Sequence, residues 1–117
     1  MPAHLEAAVD GYVAAWNEPD ADLRRQRLVE ALSDDFELTG PTGTFRGRDA
    51  VEGLIVALQS RLGGATVKRL GAVEAGVFRW AVTTAGGSVL LEGTDQVETG
   101  VDGRLRRVSV AAAPPSG

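Results

Sequence analysis

The second half of this chain reads as an unbroken succession of strands, and that feature constrains the fold more than any other. Four strand-length segments, 66–74, 77–84, 88–98 and 104–110, are separated only by short glycine-containing turns. Gly86-Gly87 and Asp102-Gly103 read as two-residue hairpin turns, so neighbouring segments should pair antiparallel as a meander. In the last segment Leu105, Val108 and Val110 break strict alternation, which predicts a β-bulge there. Such a sheet needs a cover for its apolar face, and the first half of the chain supplies helices.

Leu5, Ala8, Val9, Tyr12, Val13 and Trp16 recur at three- and four-residue spacing, the signature of an amphipathic helix. Asn17-Glu18-Pro19-Asp20 ends it. A second helix should start at Asp20 or Ala21 with Asp20 as N-cap, bury Leu28, Ala31 and Leu32, and show Arg24, Arg25 and Arg27 to water. Residues 34–39 read as a short strand, 40–43 as a turn, and 44–46 as a segment that pairs back. A third helix should start near Gly47-Arg48-Asp49, bury Val51, Leu54, Ile55, Leu58 and Leu62, and stop at Gly63-Gly64. Three N-terminal helices and a strongly curved, mostly antiparallel sheet make the class α+β, with the helices on one face.

The 117 residues suggest one domain, taken here as residues 1–113 with 114–117 as a frayed tail. A net charge of −4 argues against a nucleic-acid binder. The short basic run Arg104, Arg106 and Arg107 reads as a solvated strand edge. No apolar run approaches the roughly 20 residues that span a bilayer, and no signal peptide is apparent at the start. The chain has no cysteine, which fits a cytoplasmic setting.

The same inventory excludes most chemistry. The one histidine, His4, is too near the start to anchor a metal site or a serine triad. Gly40, Gly43 and Gly47 do not form a phosphate loop and are read as turn glycines. No metal and no cofactor is expected.

One residue stands out. In an extended reading of 88–98, Val89, Leu91, Gly93, Asp95 and Val97 share a face, and all but Asp95 are apolar or small. A charged, unpaired carboxylate among inward side chains costs several kcal/mol, so Asp95 needs a partner, a proton or a task. Alone it reads as a structural carboxylate, and Tyr12, Trp16 and Trp80 each alone read as core. Together they suggest more. A phenol and a protonated carboxyl can both donate to one oxygen, and in an apolar cavity such donors stabilise an enolate-like oxyanion. Burial would keep the carboxyl protonated near neutrality.

Tyr12-Val13-Ala14-Ala15-Trp16-Asn17, Leu32-Ser33-Asp34-Asp35-Phe36, Phe45-Arg46-Gly47-Arg48-Asp49-Ala50 and Asp102-Gly103-Arg104-Leu105, in this order and spacing, resemble the SnoaL-like branch of the NTF2-like superfamily over about residues 5 to 110. The resemblance implies a cone: a bent sheet wrapped around a long helix, with an apolar pocket at one end. It also implies a homodimer packed through the sheet. Relatives include ketosteroid isomerases, polyketide cyclases, epoxide hydrolases and binding modules without chemistry. In ketosteroid isomerase a tyrosine of the first helix and an aspartate of the penultimate strand form the oxyanion hole. Tyr12 resembles the first. Asp95, eight residues before Gly103, resembles the second. The general base of that enzyme is the aspartate of an Asp-Pro pair, and here the pair reads Gly40-Pro41. Asp35 and Glu37 are the nearest other acids. The epoxide-hydrolase arrangement finds little support, since Arg79 is out of phase with Phe78 and Trp80 and the last strand carries no acid.

Two expectations follow. The favoured one is a pocket protein that binds a small, largely apolar, carbonyl-bearing molecule through Asp95 and Tyr12, with Trp16, Phe36, Leu54, Leu58, Trp80, Leu91 and Val97 shaping the walls. The other is an isomerase- or cyclase-type enzyme that uses Asp95 and Tyr12 on an enolisable carbonyl substrate. No nucleic-acid or membrane partner is expected in either case.

Overall fold

A computed structural model describes residues 2–113, and the side chains of residues 5–111. The expected tail at 114–117 and the His4 side chain lie outside the described residues. The described residues form α1 (Pro2–Asn17), α2 (Ala21–Ala31), β1 (Leu32–Gly40), β2 (Gly43–Arg46), α3 (Arg48–Leu62), β3 (Thr66–Glu74), β4 (Val77–Thr83), β5 (Val89–Thr99) and β6 (Leu105–Ala113). One six-stranded sheet runs in the order β2-β1-β6-β5-β4-β3. All its pairs are antiparallel except β1 with β6, which is parallel and joins Leu38 to Val108. The α+β class and the three-helix cover are as the sequence implies.

Local chemistry explains the boundaries. Asp20 caps α2, its side chain accepting from the Asp22 and Leu23 backbone N–H groups at 2.9 and 3.1 Å. Gly63 ends α3 in the left-handed region at φ 58°. The last two hairpins differ from the expected two-residue form. Thr84 N–H donates to the Ser88 carbonyl and Gly100 N–H to the Arg104 carbonyl, both at 2.9 Å, so each loop holds three residues between its closing pair. The last loop residues, Gly87 at φ 90° and Gly103 at φ 79°, take the left-handed position that three-residue hairpins need.

Register slips curve the sheet. The β1–β6, β3–β4, β4–β5 and β5–β6 ladders each shift once. The β5–β6 slip lies between Glu98, opposite Arg107, and Thr99, opposite Leu105, where the broken alternation of β6 predicts a bulge. Each bulge adds local twist and bends the strand that carries it. The concave face thus wraps α1 and α3. Val9, Ala15, Leu28, Leu32, Phe36, Val51, Ile55, Leu105 and Val108 are fully or almost fully buried between the helices and the β1–β6 part of the sheet.

One helical assignment changes. Arg24, expected on the wet stripe of α2, is buried, as is Glu52 of α3. Arg24 Nε lies 3.3 Å from Glu52 Oε2 and its Nη1 donates to the Glu18 carbonyl at 2.9 Å, while Arg25 Nε donates to Glu52 Oε1 at 3.0 Å. A guanidinium can be buried when it is paired and hydrogen-bonded, and this one ties α2 to α3 through Glu52. Arg24→Ala should cost about 2 kcal/mol in urea denaturation, less than for an isolated buried pair because Arg25 still holds Glu52. A cost within 0.5 kcal/mol, roughly that of an ordinary surface substitution, would show that the pair does not lock the helices.

Candidate functional site

A cavity of about 440 Å³ opens between α1, α3 and the concave sheet. The β4 and β5 registers set one wall: Phe78 faces Asp95, Trp80 faces Gly93 and Val82 faces Leu91. Tyr12, Trp16, Leu54, Leu58, Trp80, Leu91 and Asp95, all read from the sequence as site residues, line it. Phe36 and Val97 do not. Both are buried in the packed core: Val97 pairs with Val108, and Phe36 packs against Tyr12 with ring centroids 6.2 Å apart. Asp95 is therefore the last residue of β5 that lines the cavity.

Asp95 is 4% exposed and has no cation partner among the described residues. Its partner there is the Trp80 indole, whose Nε1 donates to Oδ1 at 2.7 Å. Burial pushes the carboxyl up to about 7, and the Trp80 hydrogen bond offsets part of that rise by favouring the charged form. Both protonation states are thus populated near neutral pH. Tyr12 is buried and packs edge-on against Trp16, with centroids 6.2 Å apart at 88°. Its phenol is held far above the usual tyrosine range, first by burial and then by the Asp95 charge, with Trp16 acting in the opposite sense. Tyr12 is therefore a neutral donor at any working pH, and close enough to Asp95 to feel its charge.

Gly93 makes this geometry possible, and the sequence reading did not single it out. A Cβ at Gly93 would run into Cζ2 of the Trp80 ring, lie 2.6 Å from its Cε2 and 2.8 Å from the Ala111 carbonyl oxygen. The indole lies flat over the bare backbone and so reaches diagonally to Asp95. A glycine inside a strand, opposite an indole across the ladder, is the signal that could have revealed it.

The sequence model of the SnoaL-like domain matches residues 9–108. The chain belongs to the SnoaL-like family. No curated protein matches it significantly. Among solved structures, a candidate isomerase of the SnoaL-like family from Agrobacterium tumefaciens is similar with a TM-score of 0.86 and 23% identity, over 95% of this chain and 98% of that one. A candidate SnoaL-like polyketide cyclase from Jannaschia gives 0.76 and 13%, over 96% and 87%. An NTF2-like protein of unknown function from Exiguobacterium gives 0.69 and 18%, over 91% and 98%. At these identities the structural likeness speaks for the fold.

In this SnoaL-like chain, Gly40 and Pro41 lie on the cavity wall but offer no side-chain base. Neither of the other acids considered lines the cavity. Glu37 is bound to Arg46 at 3.0 Å. Asp35 accepts from the Ser33 hydroxyl at 2.7 Å and pairs with Arg106 at 3.3 Å, and its carboxyl is lowered, chiefly by the Ser33 bond. Among the described residues no three metal-ligating side chains converge. The sequence reading also missed Arg61, which lines the cavity although it is exposed.

The Trp80 bond can be tested directly in the SnoaL-like pocket. Trp80→Phe removes the donor that favours ionised Asp95, so the Asp95 carboxyl carbon should titrate about a unit or more higher by NMR. An unchanged or lower midpoint would show that the indole does not tune the acid.

Proposed function

We propose that this protein binds a small, largely apolar molecule carrying a carbonyl group, whose oxygen accepts a hydrogen bond from protonated Asp95 and is shared with the Tyr12 hydroxyl. The observation that carries this reading is the Asp95 carboxyl, the one acid that lines a largely apolar cavity, buried without an ion-pair partner among the described residues and pushed up to about 7. An apolar pocket with a few convergent polar groups is the usual form of a small-molecule site. The Trp80 indole occupies Oδ1 and fixes the carboxyl in place, which leaves the other oxygen to carry the proton.

Thermal shift with apolar ketones and lactones tests it. A ligand in excess of its dissociation constant raises the melting temperature. A ketone should bind more tightly than the matching hydrocarbon, and its affinity should fall about tenfold per pH unit once Asp95 loses its proton above pH 7. Asp95→Asn, which keeps a donor at all pH values, should bind with no such fall. Equal binding of ketone and hydrocarbon at every pH would refute the carbonyl contact.

The second reading is an isomerase- or cyclase-type reaction on an enolisable carbonyl compound. A carboxyl that titrates near 7 favours it, because proton transfer is fastest from groups poised at the working pH. The missing side chain at Gly40 is what holds it second. A Cβ at Gly40 would meet Val110 Cβ at 3.6 Å, an ordinary contact. Gly40→Asp should therefore fold and speed α-proton exchange of a bound ketone in deuterated water. If native protein already exchanges those protons at a substantial rate, the enzyme reading takes precedence.

A homodimer packed through the outer face of the sheet, in a cytoplasmic setting, completes the proposal. Leu90 is an exposed large apolar side chain of β5, at the register shift between Val82 and Thr83 of β4. Sedimentation should give twice the monomer mass, and Leu90→Glu should reduce it.

A further inference from the structure

Arg61 is the second polar pole of the cavity. Among the lining residues only Tyr12, Arg61 and Asp95 are ionisable. Arg61 is exposed and has no ion-pair or hydrogen-bond partner among the described residues, unlike the engaged Arg24, Arg25, Arg27, Arg46, Arg48 and Arg69. It occupies the stripe of α3 that Leu54 and Leu58 define, three residues beyond Leu58, where a buried helix face would carry another apolar residue. At that place a cation is set against the opening of the cavity.

The topology separates this cation from Asp95. α3 ends at Leu62 and the chain enters β3 at Thr66, and the ladder then joins Val67 to Val82 and Val82 to Leu91. Arg61 thus belongs to the Leu91 end. Leu91 and Asp95 are four residues apart on β5, about 13 Å along an extended strand. Consistent with that, burial and Trp80 account for the Asp95 shift, with no contribution from Arg61.

We infer that the ligand is a keto acid: an apolar body with its carbonyl oxygen on Asp95 and Tyr12 and a carboxylate on the Arg61 guanidinium at the mouth. The inference rests on the proposed function and adds the charge and length of the ligand. A guanidinium accepts a carboxylate in two parallel hydrogen bonds, and a free one at the rim both attracts and orients an anion. The protein as a whole is negative, so Arg61 marks the one lining position where an anion meets a positive charge.

The test is calorimetric titration of the native protein and of Arg61→Gln with naphthoyl-alkanoic acids of increasing chain length, each beside its methyl ester. The native protein should bind the best-fitting acid about tenfold more tightly than its ester, a preference that weakens with added salt. Arg61→Gln should lose the preference and keep the affinity for the ester. Arg61→Lys should restore part of it. If native protein binds ester and acid equally, or if Arg61→Gln keeps the preference, the keto-acid inference fails while the carbonyl-binding reading stands. If neither acids nor esters bind at any length, both fail.

Discussion

Asp95→Asn should make the protein more stable at pH 8, and the gain should disappear as the pH falls to about 4. The carboxyl titrates at about 7 in the folded protein, raised from an ordinary value near 3.8. Between those two values the folded state keeps a proton that the unfolded chain has released. The stability linked to that proton is fully present below the unfolded value, declines as the pH rises, and is spent once the folded carboxyl ionises. The span corresponds to roughly 4 kcal/mol. Asn copies the protonated acid in shape, still accepts from the Trp80 indole, and never acquires the charge. Denaturant titrations of both proteins from pH 4 to pH 9 measure the difference. A variant that is less stable than the native protein at pH 8 would make Asp95 a structural anchor and overturn its role as a donor to ligand.

Gly93→Ala should be the most damaging small substitution in the sheet. The new methyl would need the volume already filled by the Trp80 ring, and it would also press on the Ala111 carbonyl. Flexible side chains can swing clear of such a clash, but Trp80 is only 8% exposed and packed among Phe78, Val82 and the helices. Overpacking of this kind costs about 3 kcal/mol. The loss should come with a specific symptom, because a displaced indole breaks its bond to Asp95. In urea, the midpoint should drop at unchanged slope. In NMR, the Asp95 carboxyl should titrate still higher. In Gly93→Ala combined with Trp80→Leu, the smaller side chain should remove the part of the methyl's cost that comes from the ring and leave the part that comes from the Ala111 carbonyl. A Gly93→Ala protein with native stability and an intact indole–carboxyl bond would show that the ring can shift without consequence.

These two residues also show what the sequence discloses and what it does not. Asp95 is legible because a strand has period two, and one acid among Val89, Leu91 and Val97 breaks the pattern. The helices and strands are legible for similar reasons: apolar spacing, the Asp20 cap and the glycine stops. Gly93 was hidden because its meaning depends on the residue across the ladder, and register is a tertiary property. Arg24 was misread because one arginine on an amphipathic helix looks like any other until its partner Glu52 is brought beside it from α3. Arg61 was passed over because a basic residue in the last turn of a helix already has a local explanation in the helix dipole. Phe36 and Val97 face inward as expected, but the sequence does not tell where a filled core ends and a cavity begins.

The place of β6 in the sheet has a consequence for how the molecule assembles. It is the last described strand in chain order, yet it lies between β1 and β5. Until it docks, the hairpin of β1 and β2 and the meander of β3 to β5 are two separate sheets, each with an open hydrogen-bonding edge. The pairing of Leu38 with Val108 spans most of the chain, so it closes a large loop and should form late. Open edges in a waiting intermediate invite pairing with other chains. A newly made molecule is therefore most exposed to aggregation just before its last strand arrives, and the cavity has no complete wall until then.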